Sequence, residues 1–190
     1  MSGKCAGVQR RIKEIAPCAI YTHCCAHRLN LVLVDCSKSV SIVSDFLRLL
    51  ESLYAFMSAS IAQEIFLDKQ KELMPDKQPI ELKRLIETRW ACRHQSIVAV
   101  HQTFGSILST LKAIIDGDDT EKALQALGLL LKNFQFVICL LIFEYIFGTT
   151  KCLSDALQSS DLNLTCAVFL ISSVENQLSE SRSNAVWDTL

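Results

Sequence analysis

The sequence predicts a mainly α fold, a bundle of long helices preceded by one short strand. Three observations predict it. Half of the 190 residues are apolar and 21% are charged, the balance of a packed domain and not of a disordered tail or a solvated coiled coil. Only three prolines and six glycines interrupt the chain, so helix is the default. Apolar residues recur at helical spacing over long stretches, whereas β-branched and aromatic residues cluster in one place only.

Taken in order, Ser2 to Ala16 reads as a short basic helix, with Val8, Ile12 and Ile15 on one side and Arg10, Arg11 and Lys13 outward. Pro17 ends it. Ala19 to Cys24 reads as the strand, and from Ala26 the pattern turns helical through Leu29, Leu31, Val32 and Leu33. A helix from about Ser39 to Leu73 carries Val43, Phe46, Leu47, Leu50, Leu53, Tyr54 and Met57 on one face. Met74 to Pro79 breaks the pattern, and a helix follows from near Thr88 to Ile115. Asp116-Gly117-Asp118-Asp119 makes a turn that caps the next helix. Helices then span about Thr120–Thr150 and Leu162–Ser181, and another begins at Asn184. No internal repeat is visible. Two parts are expected: residues 1–36, which carry the strand, and residues 37–190, all helical. A single strand makes no sheet, so its partners are expected in another chain or outside these boundaries.

Composition limits the function. The formal net charge of −1 gives no strong general attraction to nucleic acid. The charge is uneven: residues 1–100 hold 14 Lys+Arg against 10 Asp+Glu, and residues 101–190 hold 5 against 10. Either only the first half approaches phosphate, or the imbalance belongs to solvated helix faces. Nine cysteines, an odd number, with Cys139, Cys152 and Cys166 inside apolar helical patterns, fit buried free thiols of a reducing compartment better than disulfides. No signal peptide is expected at the N-terminus. Phe134 to Phe147 is almost wholly apolar but short of the ~20 residues a bilayer needs, and Glu144 interrupts it. It reads as the central buried helix of a soluble domain, with no membrane partner.

Two clusters carry chemistry. In His23-Cys24-Cys25-Ala26-His27, Cys24 and His27 could form half of a zinc site that Cys92 and His94 would complete, but Cys92-x-His94 is not the usual finger spacing and a helix would splay the two, so no metal site is expected. The plain alternative packs Cys25 and Leu29 in a core, with His27 bonding locally. Cysteine nucleophile chemistry lacks an orienting residue and an oxyanion loop. In Thr88-Arg89-Trp90, with Arg93 and His94 a turn on, Thr88 suits an N-cap, Arg89 a phosphate clamp and Trp90 a stacking plate for an unpaired base. The alternative is a tryptophan anchoring a helix end. Gly3-Lys4 is no P-loop. No acid lies on Ala19–Cys24 to hold a metal pair. Asp35 falls on a helix, and Glu144 reads as a buried acid satisfied by a neighbouring Arg or a backbone group.

Tyr21-Thr22-His23-Cys24-Cys25-Ala26-His27-Arg28-Leu29-Asn30-Leu31 resembles the C-x-x-H motif of hAT-superfamily DNA transposases, and Thr88-Arg89-Trp90 resembles their R-W motif. Met1-Ser2-Gly3-Lys4 with Gly7-Val8-Gln9 is similar to the stretch after that family's second catalytic aspartate. Leu153-Ser154, Ala156-Leu157-Gln158 and Asp161-Leu162 resemble the helical region of its zinc finger MYM-type-like (TTF-type) branch. The resemblance implies a piece of an RNase H-like nuclease domain at residues 1–36, followed by the helical domain inserted into it. It places Cys24, His27, Arg89 and Trp90 near the active site, with the Arg and His on DNA phosphate and the Trp stacked on a flipped base. It also implies that the two aspartates precede Met1 and the glutamate follows Leu190, so the chain alone holds no catalytic acids. Divalent Mg or Mn would then enter only in a full-length protein, and any homo-oligomer would form through segments outside this chain. The expected function is DNA handling in a nuclear transposase or its descendant, not catalytic alone. The alternatives are a nuclear protein-interaction module without DNA binding and a zinc-binding regulatory domain.

Overall fold

The computed structural model describes residues 7–20, 24–85, 90–130 and 133–182. All regular structure in them is helical: α1 (Val8–Ile15), α2 (Cys25–Ser39), α3 (Ser41–Met57), α4 (Ser60–Leu73), α5 (Trp90–Gln102), α6 (Phe104–Ile115), α7 (Thr120–Leu130), α8 (Asn133–Ala156) and α9 (Leu164–Glu180). The bundle of helices is as expected; the strand is not found. Ala19 and Ile20 are irregular, Ile20 lies open to solvent and Cys24 is the entry residue of α2. Tyr21, Thr22 and His23 fall outside the described residues. A strand is held by its ladder partners, and no partner strand exists among the described residues.

Two expected helices are each two. The helix expected over 39–73 breaks after Met57, where the Ser58 N–H and hydroxyl both donate to the Tyr54 carbonyl and Ala59 turns extended. The helix expected from Thr88 breaks at Thr103, whose buried hydroxyl donates to the Ala99 carbonyl at 2.7 Å, and the two halves bend by 70°. Neither break contains Pro or Gly; local Ser and Thr bonds to the backbone do the work. The helix expected over 120–150 begins as α7 and resumes as α8, with residues 131 and 132 outside the described set. α2 runs unbroken through the expected boundary at residue 36. The expected cap of α7 is found, the Asp119 carboxylate accepting from the Lys122 N–H at 3.1 Å; at α9, Asn163 accepts from the Cys166 N–H at 2.8 Å, and Thr88, the other expected cap, lies outside the described residues.

The core lies where α3, α5, α6 and α8 meet. Phe46, Leu50, Leu53 and Met57 form the buried stripe of α3, spaced four, three and four residues apart. Phe46 stacks on Phe143 at 5.1 Å and tilts against Phe136 at 5.3 Å, and Phe143 continues to Phe147 at 5.4 Å. Ile97 of α5, Ile107 and Leu111 of α6 and Ala126 of α7 close the cluster. A second, smaller cluster joins α2, α8 and α9 through Ala26, Leu153, Leu157 and Ala167.

Other apolar faces stay uncovered. Val8, Ile12 and Ile15 of α1 are all exposed, so this amphipathic helix buries none of its residues. Of the cysteines expected inside, Cys139 is buried, whereas Cys152 and Cys166 lie at the surface. Cys18, Cys24, Cys25, Cys36, Cys139, Cys152 and Cys166 are free thiols. Phe134–Ala156 is long and apolar enough to cross a membrane by length and composition, and 33% of its most apolar window is buried.

Candidate functional site

The geometry around both motifs follows from the pairing of α5 with α8. His101 Nδ1 meets Glu144 Oε2 at 2.5 Å. One α5 heptad earlier, a methyl group added at Gly148 would lie 3.3 Å from His94 Nε2. Lys151 and Asp155 add to the field at His94 and pair with each other on α8. Rising numbers on α8 meet falling numbers on α5, so the two helices are antiparallel. Trp90, one turn before His94, therefore starts α5 at the C-terminal end of α8. α2 begins at the same end, since Ala26 packs with Leu153 of α8 and with Leu157 just past its end, and Leu29 lies against that cluster. Two helix N-termini far apart in sequence thus converge beside the last turns of α8.

The approach to α5 is pinned by polar clamps. Gln70, buried on α4, donates to the Ile80 carbonyl at 3.0 Å and accepts from the Ile80 N–H at 2.8 Å. Ser96 of α5 donates to the Lys83 carbonyl at 2.8 Å. These bonds hold the irregular segment after α4, as far as Lys83, against the bundle. Nothing in the sequence pattern singled them out.

Of the expected site residues, Cys24 is the exposed N-cap of α2, and His27 is exposed in its first turn. Cys25 is also exposed, and Ala26 takes the buried position that Cys25 was expected to fill, because the helix turns that residue inward. Arg89 lies outside the described residues; Trp90 is the first residue of α5, and its side chain lies outside them. His94, weighed above as a zinc partner, is half-buried against α8. Among the described residues, no three His, Cys, Asp or Glu side chains gather to hold a metal ion. Glu144 is satisfied, but by His101 and not by the expected Arg or backbone group, because α5 presents a histidine at that level of α8.

Burial pushes the His94 pKa below its ordinary value of 6.5, and the Lys151 ammonium pushes the same way against Glu144 and Asp155. The folded state then resists a proton that the unfolded chain accepts. Its neutral form carries no penalty above about pH 6.5, and stability is lost as pH falls through the lowered value. Urea midpoints of wild type should fall further between pH 7.5 and 5.5 than those of His94→Gln. Superimposable pH profiles would contradict the assignment.

No known family model matches the chain, and no solved structure matches its fold.

Proposed function

We propose that the chain is a DNA-handling part of a nuclear hAT-type transposase or of a protein descended from one, not catalytic alone. The observation that carries this reading is the convergence of the α2 and α5 N-termini, which bear the C-x-x-H and R-W motifs, at one end of α8. The α2 N-terminus, whose N-cap Cys24 makes no side-chain cap bond, offers unpaired N–H groups and about half a positive charge, a setting that suits phosphate. Exposed His27 and Arg28 add donors beside it, and Arg89 and Trp90 would clamp phosphate and stack on an unpaired base. On this reading residues 1–36 would belong to a partial RNase H-like domain, and divalent Mg or Mn would act only where a full-length protein supplies the acids.

Fluorescence anisotropy with single-stranded and hairpin oligonucleotides tests it. Binding should weaken linearly in log–log form as salt rises. Trp90→Ala should lose about 1–3 kcal/mol, roughly 5- to 150-fold in Kd, with Trp90→Phe recovering part of it. Arg89→Ala and His27→Ala should flatten the salt slope. No binding at low salt, or an equal loss from Lys122→Ala on α7, would overturn the proposal. A second reading, a protein-interaction module without DNA binding, is favoured by the uncovered apolar face of α8, and it predicts no salt-dependent DNA affinity.

A further inference from the structure

We infer that the outer face of α8, with the groove between α8 and α3, is a self-association surface that takes a second copy of this chain about a two-fold axis. It builds on the uncovered face just named and does not depend on DNA binding. α8 is apolar on opposite sides. Its inner side, including Phe136, Leu140 and Phe147, is sealed in the core. Its outer side carries Phe134, Ile138, Leu141 and Tyr145, which are 82, 42, 36 and 36% exposed. Their spacing of four, three and four residues is that of an a/d seam, the pattern with which one helix packs on another. A helix apolar all round belongs in an interior, and this chain covers only part of it.

Beside the seam, a groove of about 830 Å³ opens between α3 and α8, with Phe134 on its wall and Asp45 and Arg48 at its rim. Asp45 and Arg48 form an ion pair along α3. Around a two-fold axis a surface meets itself, and an axis passing between Asp45 and Arg48 would set Asp45 of each copy against Arg48 of the other, with no charge opposed to its like. The seam's open apolar area, on the order of 300–500 Å² per copy at 150–250 Å² for each fully exposed large side chain, doubles in such a contact. With the groove and its rim, it approaches the ~1,200 Å² that stable interfaces bury.

A lipid bilayer fits less well. The seam spans about 16 Å at 1.5 Å per residue, against a hydrocarbon thickness of ~30 Å. Extending it along α8 would draw the His101–Glu144 and Lys151–Asp155 pairs into hydrocarbon.

Sedimentation velocity of the full 190-residue chain, read as a function of concentration, tests the proposal. Wild type should reach a dimer mass. Asp45→Lys and Arg48→Glu should each weaken dimerisation about tenfold or more, since each makes its own rim repel itself, and mixing the two should restore a heterodimer. Ile138→Asp should abolish association while far-UV circular dichroism retains the helix signal. The inference is overturned by a monomer at every concentration. It is equally overturned by association that Ile138→Asp leaves intact, by failure of the two charge variants to rescue each other, or by pelleting with phosphatidylcholine vesicles in place of dimerisation.

Discussion

Phe46→Ala should cost about 3–5 kcal/mol of folding stability, a large share of the ~5–15 kcal/mol of an ordinary domain. Phe46 is 4% exposed and touches two aromatic rings of α8, so its removal leaves a void and ends both ring contacts. One side of the ring also walls the α3–α8 groove, which eases collapse around the void and favours the lower half of that range. Phe46→Leu keeps most of the volume and should cost less than about 1.5 kcal/mol. Urea unfolding followed by circular dichroism separates the two; a loss under ~1 kcal/mol for the alanine variant would mean that α3 does not pack on α8 as described.

Gln70→Leu should cost about 2–4 kcal/mol, although it replaces a buried amide by an apolar side chain of similar size. The amide pairs with both backbone groups of Ile80. Leucine leaves these two half-buried groups without their partner, and each such loss costs ~1–3 kcal/mol, reduced here where water can reach them. The effect should be local as well as global. Amide hydrogen exchange should quicken from Lys77 to Lys83, the segment that leads into α5, while the core of α6 stays protected until global unfolding. Unchanged exchange in that segment would show that the clamp does not position it.

Much of the helical bundle was legible because periodicity survives in the sequence. The stripe of α3 from Phe46 to Met57, the turn capped by Asp119 and the break near Pro75 all follow from side-chain chemistry a few residues apart. The breaks at Ser58 and Thr103 were not legible, since Ser and Thr occur inside helices as readily as at their ends and only the tertiary bend decides which. Of the short β-branched stretch before α2, Ala19 and Ile20 are irregular and Tyr21 to His23 lie outside the described residues. Ile20 and its neighbours have strand propensity, but propensity makes no strand without a partner to pair with.

At the site, Cys24, His27, Arg89 and Trp90 were marked by their residue types, and the starts of α2 and α5 fall beside them. That the starts of α2 and α5 lie at one end of α8 was not legible, because it depends on the antiparallel packing of α5 on α8 and on Ala26 docking near Leu157. Glu144 stood out as an acid in an apolar helix, but its partner His101 lies 43 residues away in the chain, and local pattern is blind at that distance. The Gln70 clamp left no trace at all: a glutamine among lysines and glutamates looks like surface.

The most direct test of the shared end is amide NMR of the chain titrated with a short single-stranded oligonucleotide. The first turns of α2 and α5 should shift together with one dissociation constant, and α6 and α7 should stay still. Shifts confined to one of the two helices, scattered over the bundle, or absent at low salt would contradict a common nucleic-acid surface at the C-terminal end of α8.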